Sequence, residues 1–210
     1  MRWLDETMRL SGDRQGAQTT IEVERKWNDD GKRWQLEMET VIIIGRADVH
    51  SVDDFIAVLR DIASGADVHI QAFDAKKVAS EAHILSAVHK AIRAFRKKRN
   101  ISPDLSMEIL LYAAGERQIH RALEMGISDG KNRKIAIVIV DPRGTRRLKT
   151  VAEEVKKQLK IREEGLGDLS ERAETLKNFF HITDEELNAV GEEKLEKLVL
   201  ERVALLDVKK

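Results

Sequence analysis

Two uninterrupted apolar runs constrain the fold of this 210-residue chain more than any other feature. Residues 135–140 read Ile-Ala-Ile-Val-Ile-Val, and residues 41–44 read Val-Ile-Ile-Ile before Gly45. β-branched residues favour strands, and a run without polar interruption suits a buried strand. The longer run is far shorter than the ~20 residues that a bilayer span requires, so we predict strands and no membrane span.

The segment before the first run predicts a β-hairpin. Apolar and charged residues alternate on both sides of Asn28-Asp29-Asp30-Gly31, and Asp-Gly between alternating runs is a strong hairpin signal. We predict antiparallel strands at residues 19–27 and 33–44. This assigns residues 1–40 to an N-terminal extension with the hairpin, and residues 41–210 to the main domain.

Capping residues and helical periodicity predict how the rest of the chain folds. Ser51 with Asp54 resembles a capping box for a helix that ends near residues 64–65, and Asp74 is predicted to cap a helix over 75–98. Thr183 and the acidic residues after it form a similar start. Further predicted elements are a strand at 68–73, helices at 105–113, 118–124, 145–160 and 192–207, and a linker at 163–181. We therefore predict an α/β (α+β) fold, with a small mixed or antiparallel sheet flanked by helices.

The residue inventory gives little support for catalysis. The chain has six histidines and no cysteine, and no two histidines stand four residues apart, as two metal ligands on one helical face would. It also lacks a phosphate-binding glycine loop and a nucleophile elbow. We predict no catalytic residue, no metal and no cofactor. The remaining enzymatic alternative is a small-molecule enzyme in which His83 and Glu108 meet in a pocket.

The start of the chain and its cysteine content bear on the compartment. No continuous apolar stretch follows the opening Met-Arg-Trp-Leu-Asp-Glu, so no secretory signal is predicted. The absence of cysteine excludes disulfides and fits either a reducing compartment or a hot habitat in which labile residues are scarce. We expect a cytoplasmic protein without a membrane partner.

Charge is distributed unevenly, although 37 basic residues balance 37 acidic ones. Between residues 76 and 99, eight Lys and Arg residues accompany a single acid, Glu81. These cations could follow a phosphate backbone, or the helix could be an ordinary amphipathic helix with a basic outer face. The pattern leaves both interpretations open.

The predicted helix at 192–207 carries more apolar residues than one packed face needs. Its Leu, Val and Ala residues cover more than one side of the cylinder, whereas a stripe about 100° wide is enough for a helix that packs on one side. Two explanations stay open. The helix is deeply buried, or it makes a second apolar contact with another chain.

Residues 107–123 carry a specific resemblance to a known family. They read Met-Glu-Ile-Leu-Leu-Tyr-Ala-Ala-Gly-Glu-Arg-Gln-Ile-His-Arg-Ala-Leu. This resembles the TPRKB-like (PRPK-binding) kinase-binding subunit of the KEOPS complex, where Met-Glu-Ile-Leu leads into a small residue, Gly, any residue, Arg-Gln-Ile, and then Ala and Leu. Residues 82–88, the basic stretch after them and residues 201–206 also match, so the resemblance covers about 41–210.

The resemblance implies a non-catalytic KEOPS subunit of the archaeal type. Such a subunit binds the small-lobe side of an atypical PRPK-like kinase/ATPase, which contacts the threonylcarbamoyl transferase. It also holds the 3′ CCA tail of tRNA and supports threonylcarbamoyladenosine (t6A) modification. The implied tRNA-binding residues are Lys76, Lys77, His83, Lys90, Arg93, Lys97 and Arg117, and the implied kinase-interface residues are Leu198, Arg202, Val203, Leu205 and Leu206. The alternative is a stand-alone RNA-binding module that uses the same basic central surface without the kinase.

Overall fold

A computed structural model describes residues 8–12, 18–23, 38–144, 148–191 and 194–207. The strands in these ranges are β1 (Met8–Gly12), β2 (Gln18–Val23), β3 (Met38–Val49), β4 (His69–Asp74), β5 (Gly130–Asp141) and β6 (Arg162–Glu163). They form one antiparallel sheet with the order β1-β2-β3-β5-β4, and β6 pairs with β3. The predicted sheet is confirmed as antiparallel.

Helices flank this sheet, which confirms the α/β (α+β) fold class. In the described ranges they are α1 (Val52–Ala66), α2 (Glu81–Arg96), α3 (Leu105–Ala114), α4 (Ile119–Ala122), α5 (Leu148–Gln158), α6 (Ala173–Phe180), α7 (Asp184–Val190) and α8 (Leu195–Leu205). Two of the predicted helix starts are confirmed by their capping hydrogen bonds. The Ser51 hydroxyl accepts the Asp54 N–H at 3.2 Å before α1, and the Thr183 hydroxyl accepts the Glu186 N–H at 3.1 Å before α7.

Both faces of the sheet are buried at β3 and β5, which explains the uninterrupted apolar runs of these two strands. Ile42, Ile44 and Val138 belong to a core formed with α2 and α3. Ile43 and Ile137 belong to a second core, formed with α1 and α5 on the opposite face. Successive side chains of a strand point to opposite faces, so each residue of a run enters one of the two cores.

β2 and β3 form the antiparallel pair that the alternating sequence pattern predicts. Their register runs from Gln18 opposite Ile43 to Val23 opposite Met38. The turn predicted at residues 28–31 lies outside the described residues. β1 was not predicted, and it pairs with β2 to extend the sheet by one more strand.

A third apolar cluster contains residues of α6, α7 and α8. Leu176 and Phe180 of α6 pack in this cluster with Leu195 and Val199 of α8, and all four are at most 4% exposed. α6 lies inside the predicted linker at 163–181, so that prediction was wrong. The helix has only eight residues and no side chain caps its first turn, so it lacks the usual sequence signal for a helix start.

The helix predicted over residues 75–98 is divided in the structure. Asp74 caps a single 3-10 turn, Ala75–Lys77, and α2 begins later, after Ser80. The carbonyl oxygens of the two residues after the turn accept hydrogen bonds from the guanidinium of Arg172, each at 3.2 Å. Val78 and Ser80 have extended backbone angles, so the chain is not helical between the turn and α2, and the bonds from Arg172 stabilise this break. The prediction that Asp74 starts the long helix was therefore wrong.

Candidate functional site

Lys76 and Lys77 lie on the 3-10 turn between β4 and α2. Lys76 is exposed, whereas Lys77 is half-buried. The Lys77 ammonium lies 5.2 Å from the ring centroid of Phe179 and donates to the carbonyl oxygen of Glu124. The aromatic face attracts the cation, so Lys77 connects this turn to α6 and to the segment that follows α4.

The segment Gly115-Glu116-Arg117-Gln118 turns the chain between α3 and α4. Gly115 has a φ of 65°, in the left-handed region that favours glycine, and ends α3. A Cβ atom on Gly115 would lie 3.3 Å from the carbonyl oxygen of Arg202 on α8. Gly115 therefore lets α8 come close to the turn, while Arg117 beyond it is exposed.

Two large apolar side chains beside this turn are exposed. Ile119 is 44% exposed and Leu123 is 52% exposed, whereas Ala122 between them is fully buried. They stand four residues apart, at the start of α4 and just after its end, and we treat them as one apolar patch. Sequence analysis did not select this pair, although the spacing of four was a usable signal. Together with the nearby cations it forms what we call the α4 surface, consisting of Lys76, Lys77, Arg117, Ile119 and Leu123.

Lys90 and Arg93 lie further along α2, where they are paired with the end of α8. Arg93 donates to Oδ2 of Asp207, and the Lys90 ammonium lies 3.9 Å from the same oxygen. Burial lowers the pKa of Lys90, and the charge of Asp207 opposes that effect. Lys97, just after α2, is exposed. At a rise of about 1.5 Å per residue, Arg93 is roughly 18 Å from the start of α2, so the predicted cations fall into two groups.

His83 requires a correction to the predicted tRNA-binding set, because its side chain is fully buried. Its Nδ1 accepts the Ala79 N–H at 3.2 Å, and its Nε2 lies 2.8 Å from the Ala113 carbonyl oxygen. Both contacts together require the neutral tautomer with the proton on Nε2. Burial lowers the pKa of His83 to about 4, and the bond to Ala113 opposes that effect. His83 thus ties α2 to α3 and cannot contact RNA from this position.

Three of the predicted kinase-interface residues also require a correction. Leu198, Val203 and Leu206 are at most 5% exposed, and Leu198 and Leu206 belong to the protein's own apolar clusters. Deep burial therefore accounts for most of the surplus apolar residues of α8. Another chain cannot contact these three side chains while α8 keeps this position.

The outer side of α8 is a narrower candidate interface. Leu200 and Leu205 are half-buried, and Ala204 beside them is exposed, as are Lys197 and Glu201. We call these five residues the α8 surface. Of the predicted interface residues, only Leu205 lies on it.

Arg202, the remaining predicted interface residue, is half-buried and engaged within the protein. One of its guanidinium nitrogens donates to both carboxylate oxygens of Glu186, each at 2.7 Å. Hydrogen bonds between charged groups are stronger than those between neutral groups. The bond anchors α8 to α7.

Glu108 and His83, the pair in the enzymatic alternative, are both bound to main-chain groups. Oε2 of the fully buried Glu108 accepts the N–H groups of Ile101 at 2.8 Å and Ser102 at 2.9 Å. This carboxylate therefore orders the segment before α3. A general base must reach the substrate proton that it removes, and neither side chain is accessible from solvent.

The described ranges contain neither a metal-binding cluster nor a membrane-spanning helix. There, no cluster of three or more His, Asp or Glu side chains is arranged to hold a metal ion. No helix in that same part of the chain has the length and apolar character to cross a bilayer.

Comparison with known proteins gives a family match that spans both surfaces. The family model described as kinase binding protein CGI-121 matches residues 48–207, from the end of β3 to Asp207. The regulatory protein Cgi121 of Methanocaldococcus jannaschii is 28% identical over 143 residues, which cover 67% of this chain and 84% of that relative. Both descriptions refer to a kinase-binding or regulatory protein and name no catalytic activity.

Proposed function

Because the chain belongs to the family described as kinase binding protein CGI-121, we propose that it is a non-catalytic subunit of the KEOPS complex. In this role it binds an atypical PRPK-like kinase/ATPase and the 3′ CCA tail of tRNA, and it supports t6A modification in the cytoplasm. The kinase connects it to the threonylcarbamoyl transferase. The match over residues 48–207, which includes the α4 and α8 surfaces, carries the proposal.

The kinase contacts the α8 surface in this proposal. The centre of this surface is an apolar strip formed by Leu200, Ala204 and Leu205. It is flanked by one positive residue, Lys197, and one negative residue, Glu201. An apolar centre with a polar rim is the usual composition of a protein interface. The family description supports a kinase partner over the stand-alone RNA-binding alternative.

The tRNA tail contacts the α4 surface. Single-stranded RNA is bound by cations that follow the phosphates and by side chains against which the splayed bases pack. Lys76, Lys77 and Arg117 supply the cations, and the exposed Ile119 and Leu123 supply the apolar contact. Among the residues whose burial the structure describes, these two are the exposed large apolar side chains, which favours a ligand with an apolar face.

Replacing Ala204 by arginine tests the kinase contact. We expect Ala204→Arg to weaken co-purification with the PRPK-like kinase by about tenfold or more, because a charge enters the apolar centre of the interface. Ser64→Arg is the matched control, since Ser64 is exposed on α1 across the sheet. Undiminished kinase binding by an Ala204→Arg protein with a wild-type unfolding transition would overturn the assignment of this surface.

A further inference from the structure

A charge cluster joins the end of α8 to α2 and α3. The hydroxyl of Tyr112 on α3 donates to Oδ1 of Asp207 at 2.6 Å. Arg93 of α2 donates to the other carboxylate oxygen, and the ammonium of Lys90 lies 3.9 Å from it. One carboxylate is therefore shared by two cations of α2.

We propose that Asp207 is an internal competitor of RNA for Arg93 and Lys90. This inference rests on the proposed tRNA binding and adds a means of regulating it. A phosphate and a carboxylate bind the same donors of a guanidinium group. A phosphate that takes the Arg93 nitrogen now bonded to Asp207 must therefore displace this carboxylate.

The hydrogen bond from Tyr112 helps to keep the Asp207 carboxylate ionised, so that it can bind Arg93 and Lys90. Burial raises the pKa of Asp207, but the Tyr112 hydrogen bond and the charges of Arg93 and Lys90 outweigh it, so the net pKa is lowered. The carboxylate thus stays ionised at neutral pH. Burial likewise raises the pKa of Tyr112, which keeps its hydroxyl protonated as the donor.

The solvent exposure of Arg93 and Asp207 allows an RNA phosphate to displace the carboxylate. The Arg93 side chain is 51% exposed and that of Asp207 is 28% exposed. Ion pairs at the surface are weak because water and salt screen them. Asp207 lies two residues after the end of α8, so the competing group is adjacent in sequence to the helix that carries the proposed kinase surface.

Affinity for tRNA provides the first test. We expect Asp207→Asn to bind tRNA roughly two- to fivefold more tightly than wild type. Each released cation should steepen the salt dependence by about 0.7 in the log–log slope for a single strand. Asp61→Asn on α1 removes the same charge on the opposite face of the sheet, and its affinity should stay near wild type. Equal affinities of the two variants would overturn the inference.

The single tyrosine of the chain provides a direct structural test. Protein labelled with 3-fluorotyrosine has one ¹⁹F resonance, which reports the Tyr112–Asp207 hydrogen bond. Saturation with tRNA should move this resonance toward its position in free Asp207→Asn, and tRNA should move the resonance of that variant little. A wild-type resonance that keeps its position at saturation would show that the carboxylate stays on Tyr112, against the inference.

The proposed function and this inference fail in distinguishable ways. Equal binding of wild type to tRNA with and without its CCA tail contradicts the proposed tail contact. In that case the tRNA affinities of Asp207→Asn and Asp61→Asn still show whether Asp207 competes with RNA. No binding of any variant to either RNA overturns both.

Discussion

Gly115 and Arg202 are in contact across the corner between α3 and α8. A Cβ atom on Gly115 would lie 3.3 Å from the carbonyl oxygen of Arg202 and 3.5 Å from its Cβ. The glycine of the family motif is thus placed directly against the C-terminal helix. The α4 surface and the α8 surface are thereby connected by one rigid corner.

Replacing Gly115 by alanine should destabilise the protein. The left-handed φ costs an alanine about 1–2 kcal/mol, and the new methyl group crowds α8. Denaturant unfolding at equilibrium measures the loss. Gly65→Ala is the matched control, because Gly65 lies in α1 with no atom within 4 Å of an added Cβ. The control should gain about 0.5–1 kcal/mol, and equal effects at both positions would contradict this account.

His83 should make stability depend on pH. Its pKa is about 4 in the folded protein, below the ordinary value near 6.5. The unfolded chain therefore binds a proton at a higher pH than the folded chain does. The contribution of neutral His83 to the free energy of unfolding is therefore fully present above pH ~6.5, and it is lost as the pH falls toward 4.

The predicted loss attributable to His83 is about 2 kcal/mol between pH 7 and pH 5. His83→Gln should be less stable at pH 7 and lack this part of the pH dependence. Denaturant unfolding of both proteins across that range measures the difference. Parallel pH profiles would exclude a buried neutral histidine.

Arg172 should be a major source of stability in the C-terminal region. It donates to five main-chain carbonyl oxygens, those of Val78, Ala79, Leu166, Gly167 and Asp168. Arg172→Met leaves buried acceptors without donors and should cost about 3 kcal/mol or more. Arg172→Lys keeps the charge but lacks the planar fork, so it should restore less than half of the loss. A cost below 1 kcal/mol for Arg172→Met would refute this role.

The parts of the fold that could be predicted have short-range causes. The runs at 41–44 and 135–140 predicted β3 and β5, because their β-branched residues suit strands that are covered on both faces. Ser51 and Thr183 predicted helix starts, because a capping hydroxyl bonds only three residues ahead. Such signals lie within one turn of chain.

The corrections have long-range causes. The break before α2 depends on Arg172, more than ninety residues later in the chain. The apolar surplus of α8 could not reveal which residues enter the core, because Leu206 packs with the α2 and α3 core that is distant in sequence. The family resemblance implied His83 as a tRNA ligand, whereas its burial depends on main-chain contacts with Ala79 and with Ala113, thirty residues later.

The most direct test of the account is the affinity of the protein for tRNA with and without its 3′ CCA tail, measured across a salt series. We expect removal of the tail to weaken wild type by about tenfold or more, since packing against a base contributes about 1–3 kcal/mol. The double variant Ile119→Ser, Leu123→Ser should show most of that loss on intact tRNA and almost none on truncated tRNA. Equal affinity of wild type for the two RNAs at every salt concentration would contradict the account.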